Sequence, residues 1–319
     1  MDARAELVMR LAIHRVEQLG GLSAEGFSEL VLAVRDDVEG FCDRDDDRAF
    51  LELVRALERY EASFADDDLL DDSEYYVERR RRLDAIEAAC ERALALDPEC
   101  LDASLLRTIA ADVPPERTLE ALLELLDEVP VPDTQEEDAW DDVLARPRLR
   151  VLAAAARTCV ETARFRMAST LCAQALEQSP SDPLGVRNTW AIALARLEDE
   201  DGFNELWSRF GHAGNAWFYL AHMLLLYKDL RLPAARRALK GYCDLCEGGA
   251  YALLRPSYVD VYLPDRPDVR RGSFDEAVLA VHEMDPVFMD TPDFVNWVLK
   301  TPGVEQLARK FADERGLDF

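Results

Sequence analysis

Several features that mark catalytic chains are scarce or missing in this sequence. It has only four histidines, placed singly at His14, His212, His222 and His282, and it has no HExxH pair. It also lacks a GxSxG turn and a glycine-rich phosphate loop that follows a strand-like segment. Without a nucleophile, a base and a group to orient them, the sequence predicts a chain that is not an enzyme and that has no cofactor or metal.

Long hydrophobic runs are missing as well. The longest apolar run, residues 216–227, is too short to cross a bilayer and is interrupted by His222. The N-terminus has an acidic second residue and charges throughout, so it favours an amphipathic helix over a signal peptide. These features predict a cytoplasmic protein without a membrane partner.

β-Branched residues are sparse, whereas alanine, leucine, arginine and glutamate dominate. The dominant residues are strong helix formers, so the composition predicts an all-α fold. Hydrophobic residues make up 49% of the chain, which excludes a mainly disordered protein.

The charge is large and unevenly distributed. Of the net charge of −27, residues 1–142 carry 40 acidic and 15 basic side chains, and the rest carry 24 and 22. Such a surface repels nucleic acid and attracts basic proteins, although an acidic surface that only maintains solubility would look the same. The arginines of residues 79–82 point around most of a helix and cannot form one basic face, so no nucleic-acid partner is predicted.

The charge asymmetry also predicts two regions. Residues 1–142 form an acidic helical region that ends in a linker rich in proline and acidic residues at 130–142. Residues 143–319 form a second helical region, interrupted by an irregular crossing at residues 248–272, where prolines and glycines accumulate.

One central stretch, residues 149–180, reads LRVLAAAARTCVETARFRMASTLCAQALEQSP. Its apolar spacing predicts two amphipathic helices joined by a tight turn near Thr162–Ala163. The apolar stripes comprise Leu152, Ala155, Ala156 and Cys159, followed by Phe165, Ala168, Cys172 and Ala175. With Pro180 after the second helix, this pattern of small, aromatic and proline positions resembles the tetratricopeptide repeat (TPR) family. The resemblance implies a superhelix of antiparallel helical hairpins, with about three or four TPR-like pairs over residues 73–247.

In TPR proteins the first helix of each hairpin lines a concave peptide-binding groove. The resemblance therefore implies a groove lined by Arg150, Ala153, Arg157, Val160, Glu161 and, in the next hairpin, Arg187. Two arginines on one face suit a carboxylate or an acidic peptide, so the implied partner is a protein or peptide. Two other interpretations remain open: an ordinary exposed helix face, or arginines satisfied by acidic residues of the N-terminal half.

The sequence contains seven cysteines, of which Cys243 and Cys246 form a CxxC pair. Such a pair binds zinc or undergoes redox chemistry when the thiolates are stabilised, yet this one falls at a predicted helix C-terminus, where the dipole disfavours thiolate. No second pair of metal ligands follows at a suitable spacing, so packing is the predicted role.

Overall fold

The computed structural model describes residues 2–211 and 214–319, apart from the side chains of Asp66, Asp68, Leu69 and Asp72. Within the described residues all regular secondary structure is helical, and no strand is present. The predicted all-α fold class is therefore confirmed.

The helices are bounded as follows. The first seven are α1 (Ala3–Leu19), α2 (Ala24–Asp36), α3 (Val38–Phe41), α4 (Asp45–Ala62), α5 (Asp72–Leu96), α6 (Leu101–Ala110) and α7 (Pro115–Glu128), with a 3-10 helix at Ser63–Leu69. The next six are α8 (Arg146–Glu161), α9 (Phe165–Gln178), α10 (Val186–Leu197), α11 (Glu200–Phe210), α12 (Ala216–Lys228) and α13 (Leu232–Leu245). The last four are α14 (Gly249–Leu254), α15 (Phe274–Met289), α16 (Phe294–Lys300) and α17 (Val304–Arg315).

Local capping chemistry sets many of these boundaries. The Asp2 carboxylate accepts a hydrogen bond from the Ala5 amide at 2.8 Å and starts α1, which ends where Gly20 turns left-handed at φ 76°. Ser23 as an N-cap predicts a single helix that runs to about Gly40, but the structure divides it at Asp37. The Asp37 carboxylate accepts a hydrogen bond from the Gly40 amide at 3.1 Å and so begins the short helix α3.

Two later boundaries differ from what the sequence predicts. Asp182 followed by proline predicts a helix that opens there, but α10 begins at Val186, whose amide donates to the Asp182 carboxylate at 2.6 Å. Ser273 and Glu276 predict a capping box and a helix to about Glu283. The helix continues through Pro286, and Val287 and Phe288 beyond it are buried.

The chain divides into two compact units. Unit 1 comprises Met1–Ala154 and Val261–Asp265, and unit 2 comprises Ala155–Asp260 and Arg266–Phe319. The division was expected at residues 142/143, but it falls inside α8 instead. Residues 130–142 are irregular, as the composition suggested, yet Ala139 and the following Val143 and Ala145 are buried, so this stretch is part of unit 1.

The core of unit 1 is formed where α4 packs on α5, α5 on α6 and α1 on α4. Its largest fully buried apolar side chains are Leu7, Leu11, Phe50, Leu53, Leu83 and Ile86. Val261 and Leu263, which return from the distant irregular segment, pack against this core.

In unit 2, α9 packs along α10, α10 packs on α11, α12 and α15, and α12 packs on α13 and α15. The expected turn after α8 is present: Ala163 adopts φ 57°, and the Arg164 amide bonds to the Cys159 carbonyl at 2.7 Å. The four alanines expected at close helix approaches, Ala155, Ala156, Ala168 and Ala175, are all buried.

Close packing of α9 predicts a large response to added volume. Ala168 is fully buried on this helix, so Ala168→Leu should lower the free energy of unfolding by about 1–3 kcal/mol through overpacking. The exposed Gln174 on the same helix offers a control, and Gln174→Leu should change it by less than about 0.5 kcal/mol. Urea denaturation of both variants measures the difference, and equal stabilities would contradict the packing of α9.

Candidate functional site

Helix α8 carries five of the residues expected to line a groove, but their surroundings differ. Arg150, Ala153 and Val160 are only 1%, 2% and 3% exposed, so these three offer no surface to a peptide and the expectation for them is corrected. Arg157 is half-buried and Glu161 is exposed. The C-terminal end of α8 is therefore the part that reaches solvent.

Arg150 lies instead at the centre of a buried ion cluster in unit 1. Its Nη1 donates to Glu6 Oε1 and to Asp102 Oδ1, both at 3.1 Å, and its Nη2 also bonds to Glu6. Arg10 completes the group, since its Nη2 lies 2.6 Å from Glu6 Oε1 and 2.7 Å from Asp102 Oδ2. Acidic residues of the N-terminal half thus satisfy Arg150, which is one of the interpretations that the sequence left open.

Two further groups neutralise this cluster. Arg150 Nε lies 3.5 Å from Asp265 Oδ1, and Arg146 Nη1 lies 3.5 Å from Glu6 Oε2. Three arginines therefore face three carboxylates. The Arg146 guanidinium also stacks over the Trp140 ring, 4.9 Å from its centroid. A buried charge requires such partners, because an unpaired one pays a large desolvation penalty.

The pKa values of Glu6 and Arg150 favour the charged form of each. Burial alone would raise the pKa of Glu6, but the Arg150 and Arg10 guanidinium groups lower it to about 2. Burial works against the charge of Arg150, yet Asp102, Asp265 and Glu6 raise its pKa above the ordinary value. The cluster is therefore a set of paired charges buried inside unit 1.

Arg187 was expected to extend the groove into the next hairpin. Its Nη1 lies 3.1 Å from Asp182 Oδ2, and its guanidinium stacks 5.5 Å from the Phe210 centroid. Because Asp182 also caps α10, Arg187 is tied to the loop that precedes its own helix.

Arg157 and Glu161 lie together on one face of unit 2. Although Glu161 is exposed, the surrounding protein raises its pKa by desolvation; Arg157 opposes this shift and Glu283 on α15 adds to it. Because Glu283 acts electrostatically on the Glu161 carboxylate, this end of α8 lies within electrostatic range of α15. We call Arg157, Glu161 and the neighbouring surface of α15 the α8–α15 face.

Beside this face, unit 2 contains a pocket that holds the side chain of Arg266. All five guanidinium N–H groups find acceptors there. Nε and Nη2 donate to the two Glu283 oxygens, each at 2.8 Å, Nη2 also donates to Thr189 Oγ1 at 2.9 Å, and Nη1 donates to the carbonyls of Leu184 and Gly185 at 3.1 and 2.6 Å. The side chains of Arg266 and Glu283 are only 7% and 9% exposed.

Two other residues shape this pocket. The Trp217 indole Nε1 donates to Glu283 Oε2 at 2.8 Å, and its ring lies 5.3 Å from the Arg266 guanidinium carbon. A side chain at position 185 would have to place its Cβ 2.8 Å from Arg266 Nη1, and Gly185 adopts φ 63°. Glycine therefore provides both the backbone conformation and the space for a guanidinium.

The CxxC cysteines are placed as packing residues. Cys246 is buried and Cys243 is half-buried, and burial raises the pKa of each thiol to about 12. Thiolate formation is thus strongly disfavoured at both positions.

The described histidines are either packed against neighbouring side chains or partly buried. His222 packs between the rings of Phe203 and Trp207, and burial lowers its pKa. His14 Nδ1 lies 2.7 Å from Asp47 Oδ1. Asp46 lies close enough to complete a candidate metal-binding triad, but two hydrogen bonds already pair it with Arg44. His282 is half-buried and burial lowers its pKa, whereas His212 lies outside the described residues.

Sequence patterns missed Glu6, Glu283 and Arg266. A signal for Glu6 existed, because it falls on the apolar stripe of α1 together with Leu7 and Leu11, where a charge needs a partner. Arg150 gave the same signal inside the run LRVLAAAA. Arg266 lies in an irregular segment without periodicity, so no pattern pointed to it.

The described residues define an all-α protein made of packed helical pairs. Comparisons of the chain with protein-family models, with curated proteins and with solved structures gave no significant match. Among the described helices, none has the length and apolar character that crossing a membrane requires.

Proposed function

We propose that this chain is a non-catalytic scaffold that binds a protein or peptide, with a TPR-like arrangement of hairpins in unit 2 as its binding region. The binding surface is the α8–α15 face together with the adjoining surfaces of α10 and α12. The mechanism is positional: packed hairpins hold side chains on one rigid face, and an extended segment of the partner lies against it.

The observation that carries this proposal is the binding of the Arg266 side chain in its pocket. Residues 255–272 contain no helix or strand, and one of their side chains is bound by groups from the loop before α10, from α10 and from α15. These helices therefore already bind a side chain from a segment that has no regular secondary structure. Further support comes from the packing of α9 on α10 and of α10 on α12, which is the neighbour pattern of TPR hairpins.

Charge reversal at Glu161 tests the proposal. Glu161→Arg should reduce capture of the partner by about tenfold or more, because it inverts the charge at the centre of the face. The thermal melt should not change, since Glu161 is exposed at a helix C-terminus, where arginine is favoured. Affinity capture from a lysate of the source cell, followed by quantitative mass spectrometry, gives the measurement.

The matched control is Glu177→Arg, which makes the same charge change at an exposed position on α9. A partner recovered equally by the wild-type chain and by Glu177→Arg, but lost with Glu161→Arg, supports the proposal. If every captured protein binds all three chains equally, the α8–α15 face is not the binding surface.

A second candidate function is an acidic decoy or regulator that captures a basic partner through the N-terminal half. The specific observation is an exposed acidic stripe on α7, formed by Glu116, Glu120, Glu124 and Asp127. These residues recur at helical spacing opposite the buried Leu119 and Leu122.

The acidic stripe is tested by neutralisation. Deleting residues 143–319 would remove Arg150 and break unit 1, so the combined change Glu120→Gln, Glu124→Gln and Asp127→Asn is preferable. Under the decoy hypothesis it should weaken binding of a polyarginine probe and reduce the salt dependence of that binding. Unchanged binding and unchanged salt dependence would exclude the acidic stripe as the binding surface for a basic partner.

A further inference from the structure

The Arg266 pocket is built from groups that lie outside the segment that fills it. Its acceptors belong to Leu184 and Gly185 before α10, to Thr189 on α10 and to Glu283 on α15. The Trp217 indole also donates a hydrogen bond to the Glu283 carboxylate. The pocket therefore matches a planar group with five donors, which among side chains means arginine.

The occupant belongs to a segment without regular secondary structure. Residues 255–258, 267, 268, 270 and 271 are exposed, and residues 255–272 contain no helix or strand. Within unit 2, Arg271 provides a second, exposed tie by donating from Nε to the Gly214 carbonyl at 2.6 Å. A buried carboxylate needs a cation at all times, so an incoming arginine would exchange for Arg266 without leaving Glu283 unpaired.

We propose that this pocket recognises an arginine of an extended, basic segment of a partner protein, and that Arg266 occupies it as an internal competitor in the free chain. This inference rests on the proposed function and specifies the partner: a segment with an arginine at its anchoring position. The Glu283 carboxylate, which belongs to the pocket, attracts the arginine of such a segment. Because Arg266 fills the pocket in the free chain, the partner's arginine must displace it. Only a segment that also contacts the α8–α15 face will therefore bind.

The test uses the full chain and a fluorescent synthetic peptide of residues 264–271, PDRPDVRR. Fluorescence anisotropy should show the peptide binding to the Arg266→Ala chain at least about tenfold more tightly than to the wild-type chain, because the pocket is vacated. A peptide with lysine in place of the first arginine should bind the Arg266→Ala chain at least about tenfold more weakly, since an ammonium cannot reproduce the paired contacts.

A second substitution tests whether the peptide binds in the Arg266 pocket. Adding Gly185→Ala to Arg266→Ala should abolish binding, because the new Cβ would lie only 2.8 Å from the position that the guanidinium Nη1 takes. If Arg266→Ala does not fold, Arg266→Lys, which keeps a cation beside Glu283, takes its place, and the arginine peptide should still bind it more tightly than the wild-type chain.

Equal binding of the arginine and lysine peptides would overturn the pocket proposal. So would the absence of binding to both Arg266→Ala and Arg266→Lys. The role of Arg266 would then be limited to its contacts within the chain. That failure is distinguishable from failure of the proposed function. Capture that depends on Glu161 would persist in the first case and be absent in the second.

Discussion

Arg150→Glu should unfold or severely weaken unit 1. The substitution removes the cation that lies against Glu6, Asp102 and Asp265, and it adds a fourth buried carboxylate at a position that is 1% exposed. Removing one partner of a buried ion pair costs about 3–5 kcal/mol, and like-charge repulsion adds to that. Because the whole stability of a domain is about 5–15 kcal/mol, the loss should be visible as a large fall in the melting temperature.

Three companion variants show whether the buried cluster causes this effect. Arg166→Glu makes the same charge change at an exposed position on α9 and should alter stability by less than about 0.5 kcal/mol. Arg150→Met should destabilise less than Arg150→Glu, and adding Glu6→Gln to Arg150→Met should recover part of the loss because it removes one stranded charge. Equal melts for Arg150→Glu and Arg166→Glu would show that the buried cluster does not stabilise the fold.

The same reasoning changes how a groove can be tested. If Arg150 and Arg157 lined a groove, as the TPR resemblance implies, reversing both charges would abolish partner capture without affecting the melt. Since Arg150 is buried in unit 1, any loss of capture in that variant would reflect unfolding. Glu161, exposed on the same helix, is the position that separates binding from stability.

Helix positions were predictable from sequence where local chemistry determines them. Apolar spacing, Gly20 and the Ser273 cap mark α1 and the start of α15, because each acts within one or two turns of the backbone. The turn after α8 was predictable for the same reason. The division of α8 between two units was not, because periodicity gives the face of a helix and carries no information about what packs on it.

The candidate sites were less predictable because their partners are distant along the chain. Glu6 and Arg150 are separated by 144 residues, and Arg266 and Leu184 by 82. A single sequence shows that a charge lies on an apolar stripe and needs a counter-charge, but many candidates exist in a chain with 64 acidic side chains. Three-dimensional packing selects among them.

Acid should unfold unit 1 before unit 2. Glu6 has its pKa lowered from 4.5 to about 2 in the folded chain, so its stabilising effect is complete above pH 4.5 and is lost as the pH falls towards 2. That shift corresponds to a loss on the order of 3 kcal/mol. In unit 2, burial raises the pKa values of Glu276 and Asp182, so protonation of these two groups removes a penalty and acts in the opposite direction.

Tryptophan fluorescence can follow the two units separately during acid titration. Trp140 is the only tryptophan in the sequence of unit 1, and the other four belong to unit 2. The difference in emission between the wild-type chain and Trp140→Phe therefore reports unit 1, and it should change at a higher pH than the emission of Trp140→Phe itself. Glu6→Gln should flatten the pH dependence of unit 1 between pH 4.5 and 2, because the group that titrates is gone. Coincident transitions of the two signals, or an unchanged acid response in Glu6→Gln, would mean that other carboxylates control acid unfolding.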